Sequence, residues 1–166
     1  MKLSTKVAEL TQIIEPAVIA CDVSLWGIEF VPQGRKSLLR IYIETLPEDR
    51  HTGRQVTIED CASVTHQVSG VLDVHDPIAG EYMLEVSSPG LDRSLFSPEQ
   101  LAMYVGEVVN LRLIHPIGEG NAKRRKVEGV LVSLIDHGIH IKTADNLEFD
   151  VLFDNIDKAN LVYQFN

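Results

Sequence analysis

Residues Glu85-Val86-Ser87-Ser88-Pro89-Gly90-Leu91-Asp92-Arg93-Ser94-Leu95 separate two differently patterned halves of the chain. Upstream, Tyr82, Leu84 and Val86 alternate with Met83, Glu85 and Ser87, the period-two pattern of a half-buried strand. Ser87-Ser88-Pro89-Gly90 then ends the strand as a structural turn. Proline fixes φ and has no N–H for a ladder, and glycine can take φ > 0 where the chain swings round. Asp92 and Arg93 follow as adjacent opposite charges between Leu91 and Leu95. The leucines suit anchoring. The charged pair suits either hydrogen bonds to nearby main chain or contact with a partner, and both readings stay open.

The half before this stretch mixes helix and strand signals. Leu3, Val7, Leu10, Ile14, Ala17 and Cys21 recur at helical spacing, with Pro16 inside the pattern, so a kink or a second short helix is expected there. Trp26, Ile28 and Phe30 alternate as a strand, Pro32-Gln33-Gly34 is a turn signal, and Leu39, Ile41 and Ile43 form the return strand of an antiparallel hairpin. Thr45–Gln55 is polar and reads as an exposed loop, with Arg50, His51 and Arg54 as a weak basic scatter beside Arg35 and Lys36. Thr57 stands three residues before Asp60, a capping-box variant that starts a helix with Ile58, Cys61, Val64, Val68 and Leu72 as its buried face. Asp76-Pro77 and Gly80 close it. The order αββαβ over residues 1–95 predicts an α+β domain, two helices layered on a three-stranded sheet. That layering is reminiscent of KH-like RNA-binding domains, but the Gly-x-x-Gly loop that clamps a nucleotide backbone in those domains is missing.

Ser97-Pro98-Glu99-Gln100 marks the start of a short linker helix within 96–105. From Gly106 onward, alternations at Val108–Arg112, Val127–Leu131, Ile139–Ile141 and Phe149–Phe153 are separated by turn signals at His115-Pro116, Gly118–Asn121, Asp136-His137-Gly138 and Asp145-Asn146. Five short strands over 106–166 predict a small closed or nearly closed β-barrel with hairpins like those of SH3-like and Sm-like barrels.

The run Leu84-Glu85-Val86-Ser87-Ser88-Pro89-Gly90-Leu91-Asp92-Arg93 closely resembles the signature of the bacterial RimP family. Ile14-Glu15-Pro16-Ala17-Val18, Leu39-Arg40-Ile41-Tyr42-Ile43-Glu44 and Val56-Thr57-Ile58-Glu59-Asp60-Cys61 fall in family order. Ser94 stands where members usually carry proline. The resemblance implies a cytoplasmic, non-catalytic factor that binds the immature small ribosomal subunit, with ribosomal protein and ribosomal RNA as partners. It further implies a role in late protein–RNA assembly, including incorporation of a ribosomal protein near the decoding centre.

Composition is compatible with that expectation. Of 166 residues 45% are hydrophobic, enough for packed cores, and the formal charge is −9. Basic and acidic residues number 8 against 14 up to Leu95 and 7 against 10 beyond it. Neither half is a basic domain, which argues against nucleic-acid binding over a wide surface and favours a basic protein as partner for most of it. Lys123-Arg124-Arg125-Lys126 is the one dense basic run, placed by pattern in an exposed hairpin loop, where it is either a solvated tip or a contact for RNA phosphates. Aromatic residues are not interleaved, so base stacking is not indicated.

Cys21 and Cys61 lie on apolar stripes and fit no metal spacing, so they read as buried free thiols. Six histidines include no His-x-x-x-His pair with an intervening glutamate, and no nucleophile elbow or phosphate-cradling glycine motif is present. No enzyme, metal site or cofactor is expected. Met1–Lys6 lacks the apolar core of a signal peptide, and no stretch is long enough to span a membrane. The expected state is a monomer. The competing reading is an Sm-like regulator that binds single-stranded RNA on its barrel.

Overall fold

The structure is a computed structural model that describes residues 1–164. The chain forms two compact units, Leu3–Pro89 and, together with Met1–Lys2, the residues from Gly90 onward. It is an α+β protein, with helices concentrated in the first unit and strands in the second.

In the first unit α1 runs Thr5–Ile19, capped by the Ser4 hydroxyl accepting from the Val7 N–H. Pro16 lies inside one uninterrupted helix rather than between two. It removes only its own backbone donor, and burial of Leu10, Ile14, Ala17 and Val18 holds both sides to the core. Leu3 precedes the helix and is exposed. Strands β1 (Val23–Gln33) and β2 (Lys36–Thr45) pair antiparallel through a two-residue connection in which Gly34 takes φ +58°. Pro32 sits within β1, tolerated because β1 is an edge strand. Helix α2 (Ile58–His75) starts with the full capping box between Thr57 and Asp60, then crosses over to β3 (Glu81–Ser87), which pairs parallel with β2. The sheet order is β1-β2-β3.

The core of this unit joins Leu10, Ile14 and Val18 of α1, Ile28, Leu39, Ile41 and Ile43 of the sheet, and Val64, Val68 and Leu72 of α2. Ile58, expected on the buried face, is 85% exposed. At about 3.6 residues per turn it lies off the Val64–Val68–Leu72 stripe, at the first position after the cap. The polar loop is fastened rather than free: Arg54 donates to Asp22 O and to Asp49 (2.9 Å each) and lies 3.6 Å from Asp60. Arg50 stands over the Trp26 ring at 6.0 Å.

The second unit begins earlier than expected. β4 (Ser94–Leu95) is a strand of the second sheet and pairs with β9 (Ile156–Leu161), so the division falls at Pro89/Gly90 rather than after Leu95. The short helix α3 (Pro98–Ala102) buries Leu101. β5 (Val108–Ile117), β6 (Arg124–Ile135), β7 (Gly138–Thr143) and β8 (Glu148–Leu152) follow as antiparallel neighbours, and β9 inserts between β4 and β5. The order β4-β9-β5-β6-β7-β8 ends at two strands not paired with each other. Val109, Leu111, Val127, Leu131, Ile139, Ile141 and Val151 are buried at every second position of their strands. Gly129 and Gly138 sit where a Cβ would strike the Lys142 and Val151 carbonyls, at 2.3 and 2.2 Å. Glycine lets those strands approach.

Candidate functional site

The Ser87–Gly90 turn carries the chain from one unit into the other. Ser87 Oγ donates to Ser88 O at 3.1 Å, and Gly90 takes φ +82°, a left-handed conformation open only to glycine at little cost. Beyond it, Arg93 Nε donates to Gly90 O (3.0 Å), and Asp92 Oδ1 accepts the Tyr163 N–H (2.7 Å). The Leu161 N–H donates to Arg93 O at 2.8 Å, extending the β4–β9 pairing. Asp92 and Arg93 thus tie the entrance of the second unit to the end of β9.

The basic run does not form one mobile loop. Lys123 follows a single 3₁₀ turn (Gly120–Ala122), while Arg124, Arg125 and Lys126 open β6. The strand begins this early because β5 extends to Ile117, which pairs with Arg124. Local partners then set one of these cations apart. Arg124 is half-buried: Nε donates to Ala122 O (2.9 Å), Nη2 to Asp145 Oδ2 (3.4 Å), and the guanidinium lies 5.3 Å over the Phe149 ring. The Thr143 hydroxyl, with Arg124 beside it, holds the Asp145 carboxyl below its ordinary range. Arg124 is a tether for the loop after β7. Lys123, Arg125 and Lys126 stay exposed.

The ladder regroups the exposed cations with residues distant in sequence. Lys126 of β6 is directly opposite Arg112 of β5, and Arg112 is directly opposite Lys158 of β9. Residues so paired share one face of a sheet. The result is a row of three cations across three adjacent strands. Arg112 donates through Nε and Nη2 to Asp157 Oδ2, at 2.9 and 2.6 Å. Beside the row lies an open concavity of about 410 Å³ lined by Arg112, Leu113, Ile114, Arg125, Lys126 and Asp157. Arg112 and Lys158 carry no sequence signal alone, because only the β5–β9 register brings them together.

On the other side of this sheet's order, His140 of β7 lies between two carboxylates of β8, Asp150 (2.6 Å from Nδ1) and Glu148 (3.1 Å from Nε2). Hydrogen bonding to Asp150, then Glu148, raises its pKa. Cys21 and Cys61 are free, partly buried thiols whose pKa values burial raises. Among the described residues, no group of three or more His, Cys, Asp or Glu side chains is arranged to hold a metal. No helix among them is long and apolar enough to cross a membrane.

A three-stranded mixed sheet layered with two helices, followed by an antiparallel β unit bearing a cationic row, defines a two-unit α+β protein. Residues 13–92 match the RimP N-terminal domain. That span takes in the C-terminal part of α1, the first sheet, α2 and the whole Ser87–Asp92 turn. The match supports the RimP family of ribosome maturation factors.

Proposed function

We propose that this chain binds the immature small ribosomal subunit and promotes its maturation as a cytoplasmic, monomeric assembly factor. The observation that carries this reading is the match to the RimP N-terminal domain over residues 13–92. The charge distribution supports a division of labour. A chain of net −9 offers acidic surface to a basic ribosomal protein, while local cations contact ribosomal RNA phosphates. Electrostatic complementarity of this kind chiefly speeds encounter and fixes orientation. The αββαβ layering supports a KH-like first domain, and the short antiparallel strands of the second unit support an SH3-like or Sm-like barrel. Asp92 and Arg93, at the start of the second unit, supply a surface for partner contact beside the Ser87–Gly90 signature turn.

The test is co-sedimentation of the full chain with separated small subunits, large subunits and whole ribosomes over a salt series. Selective, salt-sensitive association with free small subunits is expected. No association, together with tight binding of naked single-stranded RNA by ring-forming oligomers, would replace this reading with the Sm-like regulator.

A further inference from the structure

We infer that the cross-strand row Lys126–Arg112–Lys158, with Arg125 at its edge, is a contact site for the phosphodiester backbone of RNA. The inference deepens the proposed function and rests on it for the choice of RNA as the polyanion. Three cations stand directly opposite one another on β6, β5 and β9. Like charges so placed destabilise a sheet, and the row sits in a chain whose overall charge is −9. Asp157 offsets only Arg112. Among the described residues, Arg125, Lys126 and Lys158 have no carboxylate within ion-pairing distance. The next row on this face, Glu128–Asn110–Asn160, carries one carboxylate and bounds the strip. What remains is a narrow cationic line whose cost to the fold is recovered when an anion binds.

The shape selects the ligand. Neighbouring strands lie about 4.8 Å apart, so the row spans ~10 Å perpendicular to the strands. That suits a run of phosphates better than a single anion. The adjoining concavity is also lined by Ile114, which is 47% exposed and gives apolar surface that sugar faces can cover. Its lining includes no aromatic residue, so bases are not stacked there and the contact reads backbone rather than sequence. Arg124, although next in sequence to Arg125, is outside the site because Ala122, Asp145 and Phe149 hold it.

The experiment measures binding of the full chain to a labelled double-stranded RNA and to its unpaired strand over a salt series, for wild type, R112Q/K126Q/K158Q and R124Q. Each phosphate contact contributes about 0.7 to 0.9 to the log–log salt slope. Losing the row therefore flattens the slope by about 2 to 3, and wild type loses about 20- to 40-fold more affinity than the triple variant between 50 and 200 mM salt. Relief of like-charge repulsion leaves the melting temperature of the triple variant unchanged or raised, whereas R124Q lowers it and keeps the slope. Equal slopes for wild type and the triple variant overturn the proposal. So does an R124Q slope as flat as that of the triple variant, or wild type that binds polyglutamate but no RNA. Co-sedimentation is scored apart: wild type that ignores small subunits overturns the proposed function, while the RNA slope still decides the row.

Discussion

The two sheets of this protein are assembled by opposite means, and the contrast governs how each uses its sequence. In the first unit β2 and β3 run parallel and need α2 as a crossover, so the sheet is inseparable from the helices packed on it. In the second, β5 to β8 follow one another as antiparallel neighbours, and the surface is set by which side chains the ladders place opposite each other. The first unit spends its sequence on a helix–sheet core. The second leaves one face of its sheet available for chemistry, and long-range register decides what stands there.

The largest effects should come from the cores. Ile41→Ala and Leu131→Ala each remove a fully buried side chain and should cost about 2 to 5 kcal/mol. Trp26 is the chain's single tryptophan and belongs to the first unit, so its fluorescence should follow Ile41→Ala through the denaturant transition. If Leu131→Ala moves the Trp26 transition equally, the two regions unfold as one and the contrast fails at the level of stability. Next comes Gly129→Ala, whose Cβ would meet the Lys142 carbonyl at 2.3 Å. Backbone must shift, and a loss of about 1 to 3 kcal/mol is expected.

The same change in the first unit should have the opposite sign. Gly70 lies in α2 with nothing within 4 Å of a built Cβ, so Gly70→Ala should gain about 0.5 to 1 kcal/mol. A destabilised Gly70→Ala would mean that the outer side of α2 is not the open surface described. The smallest effect belongs to His140. Its pKa is raised from 6.5 by Asp150 and Glu148, so its contribution to stability is complete below that ordinary value and fades as pH rises through the raised one. The difference in melting temperature between wild type and His140→Gln should therefore be largest below the ordinary value of 6.5 and shrink as pH rises above it. A difference that grows with pH would contradict the carboxylate pairing.

Local signals were enough for much of the fold. Thr57 and Asp60 announce the start of α2, and the alternation from Tyr82 to Val86 gives β3 with its correct inward face. Pro16 misleads because a proline costs one donor locally, whereas burial acts along the whole of α1. The basic run misleads for the converse reason. Four consecutive cations look like a loop, but pairing with β5 draws Arg124–Lys126 into a strand, and Ala122, Asp145 and Phe149 hold Arg124 apart from the rest. Ser94-Leu95 is too short to show a period, so its place in the second sheet is visible only from β9. Arg112 and Lys158 are legible only as outward residues of separate strands. Their meeting is a fact of register, and register here is long-range.

The position of β9 also sets a timetable for the chain as it is made. The first sheet has all its strands once Ser87 has emerged, and it can fold while the rest is still being synthesised. The second cannot: β9 lies between β4 and β5, so until Ile156–Leu161 is available both of those strands present bare edges. Bare edges invite pairing with other chains. A nascent or prematurely ended chain that stops short of Ile156 therefore carries a finished first unit and a sticky, incomplete second one. It also lacks Lys158, so the cationic row exists only in chains that have been translated through the last strand of the sheet.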